Sequence, residues 1–194
     1  MKFNITYLLF SAFVGSFFFQ CRSNKEQEPS PQPERVDFDK GAVQIMDTLV
    51  SQLQGRWNMQ ELEIDVKYSV PMGSVKKDTV FTDFAVFEII RISRSEDLRY
   101  PVCQGKIKYL NYTYQVGFRL GASAERIVHK TGPQAFTLLD WQFESGFHQW
   151  KNEELFFRDL GLVSENYAVE LKPDGTMIWS GLNRDVKTIR VKKI

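Results

Sequence analysis

Few residues in this chain have the type and spacing for covalent or proton chemistry. Its thiols and imidazoles are two cysteines, Cys21 and Cys103, and two histidines, His129 and His148. The histidines stand 19 positions apart with no second His or Cys near either. That spacing builds no metal-ligand set, and neither a metal nor a cofactor is expected. No Gly-x-Ser-x-Gly elbow presents a nucleophilic serine, and no Gly-x-Gly-x-x-Gly loop cradles a phosphate. Cys103 lies in Pro101-Val102-Cys103, a strand edge by composition, without a His or Asn arrangement to activate it. The neighbouring carboxylates Glu153 and Glu154 read as a solvated face. A catalytic centre is not expected. Cys21 differs from all of these because of what precedes it.

Lys2 is the only charge before Arg22, and residues 5–19 form an uncharged, mostly apolar run of 15 residues. A membrane-spanning helix needs about 20 such residues. A basic start, an apolar middle and a processing site instead make the pattern of a secretory signal, with an uncleaved anchor helix as the other reading. The segment Phe18-Phe19-Gln20-Cys21 resembles the lipobox of bacterial lipoproteins. It departs from that family's preferences at Phe18, where Leu is usual, and at Gln20, where a small residue is usual. The resemblance implies that the Cys21 thiol receives a diacylglycerol, that the chain is cut before it, and that the new amino terminus is acylated. Residues 1–20 are then a lipoprotein signal peptide. The membrane becomes a partner through the lipid, at the bacterial cell envelope, in the outer membrane on its periplasmic or its surface side. A buried Cys21, or one bonded to Cys103, is the alternative.

Residues 21–40 follow as a lipidated tether. They carry Pro29, Pro31 and Pro33 among mixed charges, with Val36 and Phe38 as the only sizeable apolar groups. Such a segment buries too little surface to offset its ordering entropy, and its prolines favour an extended spacer. The chain as a whole carries 25 Lys and Arg against 24 Asp and Glu, a net charge of +1. That balance argues against nucleic acid as a partner.

Residues 41–194 must supply the fold. Val43, Met46, Leu49, Val50 and Leu53 recur at three- and four-residue steps, which predicts one amphipathic helix with Asp39 as its N-cap and Gly55 as its stop. From Trp57 the period becomes two. Leu62, Ile64, Val66, Tyr68 and Val70 alternate with polar residues until Pro71-Met72-Gly73-Ser74 breaks the run. Further strands are expected at 80–92, 107–110, 112–120, 127–130, 135–144, 167–171, 176–180 and 186–191. Pro173-Asp174-Gly175 marks a tight hairpin turn. Residues 150–160 fit a helix or a strand. Eight to ten closely spaced strands without intervening helices predict an all-β, antiparallel meander closed as a barrel or folded as a sandwich.

Gly55-Arg56-Trp57, at the junction of helix and first strand, resembles the Gly-x-Trp signature of lipocalins and of bacterial lipocalin-like lipoproteins. The resemblance implies an up-and-down, eight-stranded, lipocalin-like β-barrel with one short N-terminal helix. It implies that Trp57 plugs the closed end and that an Arg of the last strand packs over it, Arg190 first and Arg184 second. Gly55, Trp57 and Arg190 are then structural. A ligand site is expected at the open end, opposite Trp57, formed by Tyr114, Val116, Phe118, Trp141 and Phe143. Tyr and Trp supply apolar area and one hydrogen-bonding handle each, which suits a small apolar or amphipathic molecule. If these five are core instead, the barrel is filled, and the protein is expected to engage an envelope protein as an interaction or assembly module.

Overall fold

The computed structural model describes residues 35–67, 75, 77–93, 97–143 and 147–194. The expected signal peptide, Cys21, the tether up to residue 34 and the turn Pro71-Met72-Gly73-Ser74 lie outside the described residues. The unit that carries the fold is Val36–Ile194.

Helix α1 (Phe38–Leu53) buries Ala42, Met46, Leu49 and Leu53 along one stripe. Its N-cap is Asp37 rather than Asp39: the Asp37 carboxylate accepts the Lys40 N–H at 3.0 Å. Asp39 instead sits in the first turn, where a negative charge faces the positive end of the helix dipole. The tether therefore ends before residue 40, because Phe38 to Lys40 already belong to the helix.

Strand β1 (Gly55–Ile64) follows directly. Gly55 makes the sharp junction with a φ of +132°, a region that a side chain would strain. Trp57 and Met59 face inward, and after a bulge between Met59 and Glu61 so do Leu62 and Ile64. The strand expected to reach Val70 leaves its ladder after Ile64. The N–H of Val66 and that of Lys67 turn instead to the carboxylates of Asp78 and Asp185.

Strands β2 (Thr79–Thr82) and β3 (Val86–Ser93) replace the single run expected at 80–92. Asp83 breaks it with a φ of +48°. β3 pairs with Gly55 to Asn58 and β2 with Glu61 to Ile64, both on the edge of β1 that β9 does not occupy. The two are successive halves of one barrel position.

The chain then continues through β4 (Val102–Tyr109), β5 (Tyr112–Ala122), α2 (Ala124–His129), β6 (Ala135–Trp141), α3 (Asn152–Asp159), β7 (Glu165–Leu171), β8 (Thr176–Gly181) and β9 (Val186–Lys193). Each strand from β3 onward pairs antiparallel with the next, and β9 returns to β1 from Trp57–Lys193 to Ile64–Val186. The result is the all-β, up-and-down, lipocalin-like barrel that the alternation predicts, closed over eight positions with β2 as an added half-strand. At the Pro173-Asp174-Gly175 turn, Gly175 takes a φ of +78° and its N–H bonds to the Lys172 carbonyl at 3.0 Å.

Residues 124–129 are helical where a strand was expected at 127–130. Caps decide this: Ser123 accepts the Arg126 N–H, and Lys130 closes the turn in the left-handed region. Residues 150–160, open between two readings, contain α3. Cys103 lies inside β4 rather than at a strand edge, fully buried, and burial pushes its thiol up to about 12. The neutral thiol is core material.

The middle of the barrel is occupied by its own side chains. Trp179 meets Phe118, Phe87 and Tyr167 at ring-centroid distances of 5.3, 5.5 and 5.5 Å, each crossing at a steep angle. The up-and-down order places α1, α2 and the β7–β8 turn at the end where β1 begins. The β4–β5 turn, the β6–β7 connection with α3, and the β8–β9 turn share the other end. There the buried carboxylate of Glu165 accepts N–H groups from Leu182, Asn183 and Arg184, fixing the β8–β9 turn.

Candidate functional site

Alternation along β5 turns Tyr114, Val116 and Phe118 to the barrel interior. Because β5 runs from the α3 end toward the α2 end, these three lie at successive depths. Phe118 is deepest, with Phe87 and Trp179 at 6.0 and 5.3 Å. Val116 is fully buried opposite Trp141. Both are core, which corrects their assignment to a binding site: a residue two or four positions into a filled barrel has only neighbouring side chains to touch.

Tyr114, Trp141 and Phe143 do come together, at the end opposite Trp57. Tyr114 crosses Trp141 edge-on at 5.7 Å and Phe157 of α3 at 5.2 Å. Trp141 lies nearly parallel to both Phe157 and Phe143, with interplanar angles of 15° and 27°. Phe143 stacks on His148 at 4.0 Å. Tyr114, Trp141, Phe143 and His148 border a cleft of about 410 Å³, whose polar lining also includes Gln115, Gln142, Lys151 and Glu154.

Helix α3 positions the polar side of this cleft. Glu154 is only 5% exposed, which corrects its reading as part of a solvated face. At the third helical position its carboxylate folds back to accept the Lys151 N–H at 2.8 Å and meets His148 Nε2 at 3.0 Å. That contact ties the aromatic connection after β6 to the start of α3. Glu153 bonds the Tyr112 hydroxyl and raises its pKa through that bond. Burial, with smaller contributions from Glu153 and Glu154, raises the Tyr114 phenol well above its ordinary range. Tyr114 is therefore a neutral donor at any ordinary pH.

Two polar atoms on the cleft's aromatic residues have no hydrogen-bond partner among the described residues. They are the hydroxyl of Tyr114 and the indole N–H of Trp141, both buried. Buried donors are almost always paired in folded proteins, so each such group asks for an explanation. The alternation of β5 made Tyr114 visible from sequence, and Trp141 was visible on the later strand that became β6. His148, Glu154 and Phe157 were missed, and the available signal was the short Lys151-Asn152-Glu153-Glu154 start of a helix.

At the opposite end Trp57 is 1% exposed, and its indole N–H donates to the Leu53 carbonyl at 2.8 Å, joining β1 to the end of α1. The cation over its ring is Lys193, with Nζ 5.4 Å from the centroid. Arg190 is exposed, because Ile189 and Val191 on either side face inward and period two turns Arg190 out. Arg184 lies at the other end and donates to the carbonyls of Val163 and Arg158. Neither arginine covers Trp57, and the expectation for Arg190 is corrected to Lys193.

Among the described residues, no three His, Cys, Asp or Glu side chains converge as a metal site would require. Set against protein-family models, curated proteins and solved structures, the chain matches none of them.

Proposed function

We propose that this protein is a lipid-anchored envelope lipoprotein whose barrel binds a small apolar or amphipathic molecule, non-covalently, at the mouth between β5, β6 and α3. The observation that carries the reading is the cleft itself. Its volume of about 410 Å³ falls among small-molecule sites, roughly 300–1,000 Å³. Aromatic walls with a few convergent polar groups are the chemistry such sites use. The filled interior beneath it favours binding at the mouth over binding along the axis. The lipid anchor rests on Cys21 and the apolar run before it.

The second reading, an interaction or envelope-assembly module, draws on Phe147 at 98% exposed and Leu110 at 79%, on connections at the same end. Exposed apolar groups gathered in one region suit a protein partner.

Native mass spectrometry of the purified full chain tests the first reading. A co-purified small molecule, lost when Phe143 is replaced by Asp, is the expected result. Protein that carries no such molecule and takes up no apolar fluorescent probe refutes it and favours the interaction module. The anchor has its own test. Cys21→Ser should abolish acyl labelling and release the chain from membranes, whereas labelled and membrane-bound Cys21→Ser protein refutes the lipid anchor.

A further inference from the structure

Resting on the ligand-binding reading above, we propose that the cleft selects a neutral molecule bearing a hydrogen-bond acceptor of the carbonyl or ether type. The Tyr114 hydroxyl and the Trp141 indole N–H would receive that acceptor.

An indole N–H is a donor and nothing else, and a phenol in a buried site offers its proton first. Both atoms are buried and unbonded on rings that touch at 5.7 Å. A ligand that brought only donors, such as an ammonium, could donate to the phenol oxygen but would leave the indole N–H and the phenol proton unpaired. An apolar ligand would leave both groups unpaired. An oxygen acceptor satisfies them.

Charge selects further. Glu153 and Glu154 already oppose ionisation of the Tyr114 phenol, and the same field opposes a carboxylate or phosphate placed beside it. Glu154 is held there by the Lys151 N–H and by His148, so it does not swing away. Glu153 and Glu154 outnumber Lys151, the lysine of the lining, so the balance of charge beside Tyr114 favours an uncharged acceptor. The rest of the molecule is flat or apolar, since the aromatic walls are Tyr114, Trp141, Phe143 and Phe147, with Phe143 at 27° to Trp141. Phe143, 43% exposed, is the ring at the surface that such a molecule displaces to enter.

A third indole N–H, that of Trp179, also has no partner. It sits among Phe87, Phe118 and Tyr167 in the filled interior and does not line the cleft. Tyr114 and Trp141, by contrast, belong to the residues that line the cleft.

The test uses three probes of one size on the full chain, with the detergent background subtracted. They are 6-propionyl-2-dimethylaminonaphthalene, its parent 2-dimethylaminonaphthalene without the ketone, and the corresponding 6-carboxylate. The ketone should bind about tenfold more tightly than either of the others, the scale of one well-made hydrogen bond. Tyr114→Phe, which removes only the hydroxyl, should weaken the ketone about fivefold or more while the parent naphthalene changes by less than about twofold, and Trp141→Phe, which also trims the wall, should weaken the ketone more than it weakens the parent. Without ligand, Tyr114→Phe should melt at the same temperature as the wild type or higher, because it removes a buried hydroxyl that bonds to nothing. Equal binding of ketone and parent overturns the acceptor proposal while the ligand-binding reading stands. Tighter binding of the carboxylate overturns the neutral selection. A lower melting temperature for ligand-free Tyr114→Phe shows that the hydroxyl is already bonded within the protein, and overturns the proposal as well. Failure of all three probes to bind overturns both this proposal and the reading on which it rests.

Discussion

The two ends of the barrel treat their tryptophans in opposite ways. At the α1 end the Trp57 indole N–H is bonded to Leu53, its ring is buried, and a helix covers it. At the α3 end the Trp141 indole N–H has no partner among the described residues, and its ring borders a cleft. The same residue type closes one end and leaves polar capacity unused at the other. A closing group has its hydrogen bond made within the protein. A receiving group has its bond still to make, and that difference separates a plug from a candidate site where burial and aromaticity alone would not.

The sharpest way to break this comparison is to remove the plug. Trp57→Ala deletes a fully buried aromatic and its bond to α1, and should cost about 3–5 kcal/mol of unfolding free energy in a denaturant titration. Phe143→Ala at the other end should cost less than about 1 kcal/mol, since the ring is 43% exposed. Comparable losses at the two ends would erase the distinction.

Next in size is the β8–β9 turn at the α3 end. Glu165→Ala strips the β8–β9 turn of the carboxylate that holds Leu182, Asn183 and Arg184. It should cost about 2–3 kcal/mol, and Glu165→Gln, which keeps one acceptor oxygen, should cost less. Faster amide hydrogen exchange confined to residues 182–184 would locate the loss.

A smaller effect separates the two basic residues of β9. Lys193→Met should lose about 0.5–1 kcal/mol as the cation leaves the face of Trp57. Arg190→Met should change stability by no more than about 0.5 kcal/mol. The reverse ranking would restore Arg190 as the covering residue.

The last prediction concerns pH at the α1 end. The Arg99 side chain, through hydrogen bonds to Asp97, holds that carboxyl at about 2, and Arg99 also reaches Asp39 of α1. A carboxyl whose folded value lies below its ordinary one, about 3.9, adds stability that is complete above that value. The contribution disappears only as pH falls through about 2. Unfolding curves of wild type and Asp97→Asn should therefore differ by a constant amount above about pH 5. They should begin to converge near pH 4 and meet only below pH 2, and a gap as wide at pH 2 as at pH 5 would deny the interaction.

Much of this architecture can be read in the sequence wherever one face of a strand is wet. Tyr114, Val116, Phe118 and Leu120 alternate with Thr113, Gln115, Gly117 and Arg119, and β5 is where the alternation places it. Strand β4 hid most of its length because Gln104, Gly105 and Lys106 interrupt its apolar residues. Gly105 is there for space: a Cβ would stand 2.5 Å from the Glu88 carbonyl oxygen of β3. Helix α2 was hidden by Ile127 and Val128, whose β-branched side chains suggest a strand, while Ser123 and Lys130 at its ends decide otherwise. The site was half legible. Spacing placed Tyr114 and Phe143 on strands or beside them, but only the register of β5 against β6 shows that Tyr114 meets Trp141. The depth that makes Phe118 core depends on how far each strand runs, which alternation does not encode. Arg190 failed for a related reason, since a bulge in β1 and the true end of β9 decide which side chain reaches Trp57.

Closure of the barrel between β1 and β9 also sets an order of events during synthesis. The edge of β1 that will carry β9 finds its partner only when residues 186–193 have emerged, so the first strand made is the last to be fully paired. A contact of such sequence separation carries a large loop-closure entropy and forms slowly. Until then β1 presents an open ladder edge and an unclosed sheet, the condition under which nascent β-proteins associate with one another. A chain cut short anywhere before β9 would keep that edge exposed, so aggregation of truncated forms, more than loss of contacts within them, is the vulnerability this topology confers.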